Sequence, residues 1–195
     1  MDKAVLRRDV LARRAMLGDR DARSDLIQSR VRKLASLAGA RVLASYVGVG
    51  PEVATIALIE EGLEQGKTVA VPWRDGNDLH LAWLTSLSEL VPVSFGLLEP
   101  PRDLALAREV LPGDVDLMLI PGVAFDARGG RLGHGKGFYD RLLVRAGPGP
   151  LRVALAFDCQ MVEEVPMVSG DERMDLIVTE TAVHAVSART ALEAR

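Results

Sequence analysis

Cysteine is nearly absent from the sequence. Cys159 is the only one in 195 residues, which excludes an internal disulfide and any metal site built from several thiolates, and suits a reducing compartment. Long apolar runs are missing as well. No uninterrupted stretch reaches the ~18 residues that a membrane-spanning helix needs, and Arg and Asp break up the apolar residues near the amino terminus, so no signal-peptide core is visible. A cytoplasmic protein with no membrane partner is expected. Excess charge of either sign is lacking too: the net charge is −3 at pH 7 and the pI is near 5.7, which gives no global attraction to nucleic acid. There is no internal repeat, low-complexity tract or interdomain linker.

What is present is the balance of a globular protein, 48% hydrophobic residues beside 26% charged ones. A mass of 21.0 kDa allows one substantial core, so residues 1–195 read as a single domain, expected as a monomer or weak dimer. The charge is unevenly placed. Residues 1–33 carry Lys3, Arg7, Arg8, Arg13, Arg14, Arg20, Arg23, Arg30, Arg32 and Lys33, so the amino-terminal end can present cations to an anion.

Apolar residues recur at helical spacing over 3–17 and 25–37. Residues 41–47 read as a buried strand, and Pro51 as the opening of a helix that ends at Gly66. Residues 68–72 and 79–84 read as two strands around the turn-forming Asp75-Gly76-Asn77-Asp78, in an arrangement that can be antiparallel. Between 86 and 114 the pattern is weak, with an ordered loop at 95–101 and a helical turn at 103–110. Strands are expected at 116–120, 153–157 and 176–179, with a helix from about 139 and a short helix near 160–164. This alternation predicts an α/β fold of three layers, α/β/α, around a mostly parallel sheet.

The segment 121–141, PGVAFDARGGRLGHGKGFYDR, concentrates glycine, cations, carboxylates and aromatic residues in one connection. Gly133, Gly135 and Gly137 at alternate positions allow φ > 0 and close approach of a ligand to the backbone. Their amides can point inward as an anion nest, and a helix starting near Gly137 adds its own free N–H groups. Arg131 and Lys136 supply full charges, and Asp140 offers a carboxylate of the kind that holds Mg²⁺ beside a polyphosphate. The segment is neither a Walker loop, since no GKS or GKT ending follows, nor a Rossmann fingerprint. Residue chemistry alone therefore reaches a phosphate-bearing ligand, and a nucleotide- or sugar-phosphate-binding regulator stays open beside a phosphoryl-transfer enzyme.

The stretch PGVAFD…GGRLGHGKGFYDR resembles the signature of the 5-formyltetrahydrofolate cyclo-ligase family, and other elements match in order. Lys3-Ala-Val-Leu-Arg7 is similar to the family's KxxLR. Glu52 resembles its acidic residue ahead of a GK-strand segment. Residues 95–100, FGLLEP, are like its G-I-x-E-P loop, and Phe157-Asp158-Cys159-Gln160 with Pro166 and Asp171 is like its closing segment. The resemblance covers about residues 3–180 and implies a fold similar to the NagB/RpiA/CoA transferase-like fold, which adds a sugar-phosphate isomerase as a third reading.

It also implies a function: ATP- and Mg²⁺-dependent cyclisation of 5-formyltetrahydrofolate, with or without a polyglutamate tail, to 5,10-methenyltetrahydrofolate. Residue by residue, it implies ATP binding by Lys3, Arg7, Arg131, Leu132, Gly133, His134, Gly135, Lys136, Gly137, Phe138 and Tyr139. Val47, Glu52 and residues 134–138 are implied to bind the folate, with Arg131, Lys136 and Tyr139 in the catalytic set and Asp140 and Asp171 on the metal. Trp73, Trp83 and Phe95 are further candidates to enclose a flat ring, though each suits a core better. Two positions depart from the family pattern: His134 stands where Tyr or Arg is common, and Trp73 where a basic residue is common, with Arg74 displaced by one. His80 and His184 read as structural or exposed, and Cys159 as a small buried residue.

Overall fold

The computed structural model describes residues 2–186 and 190–193; the side chain of Phe95 lies outside the described set. In chain order the elements are α1 (Lys3–Ala15), α2 (Arg20–Val31), α3 (Ala35–Gly39), β1 (Val42–Ser45), α4 (Ile56–Glu64), β2 (Thr68–Asp75) and β3 (Asp78–Leu84). Short strands β4 (Val91–Pro92) and β5 (Leu98–Glu99) precede α5 (Arg102–Ala107) and β6 (Glu109–Val110). Then follow β7 (Leu117–Ile120), β8 (Ala124–Asp126), β9 (Arg131–Leu132), α6 (Phe138–Ala146), β10 (Leu151–Leu155), β11 (Met161–Val162), β12 (Leu176–Val178) and β13 (Val183–Ala185).

The main sheet has the order β13-β12-β10-β7-β1-β2-β3-β6. Its five central strands, from β12 to β2, are parallel, and the flanking pairs β12–β13, β2–β3 and β3–β6 are antiparallel. Side chains alternate across it as the two-residue period of a strand requires. Leu43, Leu117, Leu119, Val153, Leu155, Leu176 and Val178 join Ile27, Val31 and Leu34 in the core on one face. Their neighbours Ala44, Met118, Ile120, Ala154 and Ile177 join Leu142, Leu143 and Ala146 of α6 on the other. A sheet apolar on both faces must be covered by helices on both, which yields the expected three layers. Helix α1 lies apart, with Leu6 and Val10 packed on Val123, Ala124 and Leu132 of a small sheet of order β11-β8-β9.

Several local expectations are corrected. The helix expected at 25–37 starts earlier, after Asp19 in the left-handed region (φ 52), and ends at Val31. The residues after it form the separate α3, so one apolar stripe is carried by two helices. Pro51 does not open a helix. Residues 46–55 fold into a closed loop in which the Tyr46 hydroxyl donates to Val53 O at 2.8 Å, Gly48 N donates to Thr55 Oγ1 at 2.9 Å, and that hydroxyl donates to Tyr46 O at 2.6 Å. Helix α4 therefore starts only at Ile56. The short helix expected near 160–164 is a 3-10 turn, Asp158–Gln160, leading into β11. Cys159 is half-buried rather than buried.

Candidate functional site

Strands β1 and β7 lie side by side and parallel, and the chain continues from them in opposite directions across the sheet, to β2 on one side and β10 on the other. Where the order of an open α/β sheet reverses in this way, a crevice forms beyond the carboxyl ends of the strands. A cavity of about 890 Å³ occupies it, lined by Tyr46 and Val47 just after β1 and by Pro121 and Gly122 just after β7. That volume lies in the upper part of the ~300–1,000 Å³ range of small-molecule sites.

The segment after β7 is shaped by Asp126, which is 1% exposed. Its Oδ1 accepts from Arg128 N at 2.8 Å and Gly130 N at 2.9 Å, and its Oδ2 from Val165 N at 2.8 Å. A carboxylate with three amide donors is a structural brace, and it closes the β8–β9 hairpin that delivers Arg131 to the cavity. Gln160 holds the same region from behind: its Nε2 donates to Gly122 O at 2.9 Å and Val123 O at 3.0 Å, while its Oε1 accepts from Phe157 N at 3.0 Å.

Beyond β9 the backbone turns through Gly135 (φ 90) and Gly137 (φ 68), and Gly137 caps α6. These two glycines occupy the left-handed region that side chains disfavour; Gly133 does not, which corrects the expectation for all three. A Cβ at Gly135 would lie 3.3 Å from Arg7 Nη2, so the loop rests against the α1 guanidinium. The loop residues and the first turn of α6 line the cavity, which is where an anion site draws its backbone donors.

Helix α1 supplies cations. Lys3 donates to Asp171 Oδ2 at 2.5 Å, Arg7 Nε to Gly133 O at 2.9 Å, and Arg14 Nη1 to Gly122 O at 3.4 Å. Arg131 Nη2 donates to Asp140 Oδ1 at 2.5 Å, and its guanidinium lies 5.7 Å from the centre of the Tyr139 ring. Lys136 is exposed at the rim and makes no side-chain hydrogen bond or ion pair among the described residues. The two carboxylates expected on the metal, Asp140 and Asp171, are thus each held by a cation.

Among the described residues no cluster of three or more acidic, His or Cys side chains converges. The donor set nonetheless fits Mg²⁺, a hard cation that commonly takes one or two carboxylates and completes its shell with water and phosphate oxygens.

Burial pushes the Glu52 carboxyl above its ordinary range, although the Val49 amide and the Arg14 charge oppose this. Burial and then Glu52 push the Tyr139 phenol up, so it stays a neutral group at neutral pH. His134, an exposed residue, is pushed down by partial desolvation and by the Arg14 and Arg7 charges, which keeps its imidazole neutral at neutral pH. For Asp171 burial works upward, but the Lys3 ammonium and the Val168 amide outweigh it and hold the carboxyl below its usual value.

All the residues assigned above to nucleotide, folate or metal line this one cavity: Lys3, Arg7, Val47, Glu52, the continuous run 131–140, and Asp171. Glu52 reaches it from the closed loop rather than from a helix start, so complementing a helix dipole does not explain it. Trp73 and Trp83 do not line it. Trp73 is 2% exposed in a cluster with Ala82 and Ala105, and Trp83 lies at the surface beneath Arg108, 4.4 Å away. Strand alternation instead turns Pro72 and Arg74 toward the cavity, so the basic residue displaced by one in sequence still faces it.

Sequence reasoning missed several lining residues. Arg74 Nε binds Glu99 Oε1 at 2.8 Å and so ties the wall containing Leu97 and Leu98 to β2. Arg14 and Tyr46 were missed too. For Arg14 a signal existed, since positions 3, 7 and 14 fall on one helical stripe. His80, paired with Glu109 at 2.9 Å, stands outside the site.

The family model of the 5-formyltetrahydrofolate cyclo-ligase family matches residues 1–180. Two proteins named 5-formyltetrahydrofolate cyclo-ligase are each 36% identical to this chain. The one from Mycolicibacterium smegmatis aligns over 144 residues, 71% of this chain and 73% of the relative. The one from Escherichia coli K12 aligns over 154 residues, 74% of this chain and 80% of the relative. The NMR structure of Aquifex aeolicus 5,10-methenyltetrahydrofolate synthetase superposes with a TM-score of 0.83 at 35% identity, covering 95% of this chain and 93% of that one.

Proposed function

Because the chain belongs to the 5-formyltetrahydrofolate cyclo-ligase family, we propose that it is a single-domain enzyme that closes 5-formyltetrahydrofolate to 5,10-methenyltetrahydrofolate, using ATP with Mg²⁺ and releasing ADP and phosphate. The observation that carries this reading is the meeting, in one cavity, of the glycine-rich anion loop, the α1 cations, two carboxylates and a half-buried glutamate.

A formyl oxygen is a poor leaving group, so attack of N10 on the N5-formyl carbon needs that oxygen activated. Transfer of the γ-phosphoryl group to it gives an iminium phosphate and ADP. N10 then bonds to the formyl carbon, the carbon–oxygen bond breaks, inorganic phosphate leaves, and the N10 proton is lost. Phosphoryl transfer asks a protein chiefly for positioning and charge stabilisation. The residues present suit that demand. Lys3, Arg7, Arg131 and Lys136 with the 133–138 amides bind and orient the triphosphate, and Glu52 and Val47 orient the pterin. Tyr139 stays neutral beneath the Arg131 guanidinium.

Asp140 and Asp171 would hold Mg²⁺, which when bound neutralises phosphate charge. Each of these carboxylates is paired with a cation, Asp140 with Arg131 and Asp171 with Lys3. With that group bound, Asp140 and Asp171 would turn to the metal, and Arg131 and Lys3 would be free to meet phosphate oxygens. A cytoplasmic location belongs to the same proposal; among the described residues no helix is long and apolar enough to cross a membrane.

The test is growth of methenyl-folate absorbance from 5-formyltetrahydrofolate on addition of ATP and Mg²⁺. A flat trace with folded protein would eliminate the reading, and ADP release with a different acceptor would redirect it.

A further inference from the structure

The proposed division of labour leaves one cation of the cavity without a task. Arg14 shares a stripe of α1 with Lys3 and Arg7 but stands eleven residues beyond Lys3, roughly 16 Å along the axis at ~1.5 Å per residue. Lys3 is moreover engaged by Asp171 at the far end. Lys3 is thus far from Arg14, and Arg7 is turned to Gly133 O; the surroundings of Arg14 are Gly122, Tyr46, Glu52 and His134.

Arg14 is 3% exposed and makes a single, long side-chain hydrogen bond, 3.4 Å to Gly122 O, among the described residues. A guanidinium has five N–H donors, and burying it with so few acceptors is unfavourable unless something else completes the set. Glu52 supplies the balancing charge, yet no ion pair joins the two: the Glu52 carboxylate takes the Val49 amide at 3.4 Å and otherwise faces the cavity. Two complementary groups are thus held on the cavity lining without closing on each other.

The edge that fits such a pair carries two adjacent donors for the carboxylate and a neighbouring acceptor for the guanidinium. The 2-amino-4-oxo edge of a pterin has this pattern, with N3–H and the 2-amino group beside O4. Resting on the folate reading above, we propose that Arg14 is a specificity-determining residue that donates to the pterin O4 while Glu52 accepts from N3–H and the 2-amino group. Together they select the 4-oxo ring over a 4-amino ring, whose donor would face the guanidinium.

The test measures dissociation constants of 5-formyltetrahydrofolate, its 4-amino-4-deoxy analogue and Mg-ATP for the parent, Arg14→Met and Arg14→Lys. Met preserves most of the packed stem, and Lys keeps the charge if Met fails to fold. The parent is expected to prefer the 4-oxo ligand by tenfold or more. Arg14→Met should weaken that ligand by roughly 10–100-fold, the scale of a hydrogen bond to a charged donor. It should leave the 4-amino analogue and Mg-ATP within about twofold of the parent, with Arg14→Lys between the two.

Equal weakening of both folates, unchanged discrimination, or a matching loss for Mg-ATP overturns the assignment and leaves the parent reading intact. Failure of the parent protein to bind either folate overturns both.

Discussion

Replacing Asp140 by Asn in the ligand-free protein probes how the site stores its charge. The Arg131 side chain is 2% exposed, its Nε has no hydrogen-bond partner, and Asp140 at 2.5 Å is its one ion-pair partner among the described residues. Breaking a buried pair by removing one member strands the other and destabilises by about 3–5 kcal/mol. Asp140 is 27% exposed, so water screens part of the interaction and the figure must be lowered, to about 2–3 kcal/mol. For a chain of this length the midpoint of thermal unfolding should fall by roughly 5–10 °C.

Arg131→Met combined with Asp140→Asn removes the stranded charge as well. It should recover most of the loss, which corresponds to a coupling energy of at least about 1.5 kcal/mol. Denaturant and thermal unfolding with chelator and without nucleotide isolate this resting-state role from metal binding. Adding Mg-ATP then separates the two roles, because ligand binding should raise the parent midpoint and raise that of Asp140→Asn less. A single variant within about 0.5 kcal/mol of the parent, or a double variant whose loss equals the sum of the two singles, would refute the reasoning.

Glu52→Gln should trade stability against function. Burial raises the Glu52 carboxyl, so the folded state holds that proton at pH values where the unfolded chain has released it. The stability this provides is complete below the ordinary carboxylate range and disappears as pH rises through the raised folded value. Unfolding scans should therefore show the variant gaining on the parent as pH rises above the ordinary carboxylate range, while its folate affinity falls; a constant offset at all pH values contradicts the sign. Lys136→Ala, at an exposed position with no side-chain partner among the described residues, should leave stability within about 0.5 kcal/mol of the parent and weaken Mg-ATP by roughly 10–100-fold, more than it weakens folate. Equal losses of both ligands in this variant and in Glu52→Gln, read by titration calorimetry, would undo the proposed split. Gln160→Leu strands two carbonyls and an amide behind the site; a loss of about 3 kcal/mol with lowered turnover is expected, and an unchanged denaturation midpoint counts against its bracing role.

Whether a feature could be read from the sequence depended on whether its cause was local. The strands β1, β7, β10 and β12 carry their two-residue alternation in the residues themselves, and both faces are apolar, so a parallel sheet covered on two sides followed from the pattern. The anion loop was equally readable, because glycine at 135 and 137 answers a backbone demand made at those positions. Pro51 misled because its preference for a helix start is a local rule, overruled by hydrogen bonds that Tyr46 and Thr55 make across the loop.

Asp126 and Gln160 looked like motif residues beside the chemistry. Only their amide and carbonyl partners reveal that they shape the backbone around it.

Arg14 marks the boundary between the two kinds of information. Its helical phase with Lys3 and Arg7 is present in the sequence, but so are the other arginines of residues 1–33, none of which is buried. Periodicity gives the side of α1 on which it lies. Its burial is set by what α1 packs against, namely the β8–β9 hairpin and the turn at Gln160. A buried guanidinium with a single long hydrogen bond becomes visible only once those elements are assembled, and its neighbour Glu52 is brought there by a loop whose course is itself tertiary. The charges proposed to bind phosphate are therefore written largely in one contiguous motif, whereas the pair proposed to read the pterin is put together from two segments that only the fold brings to one cavity.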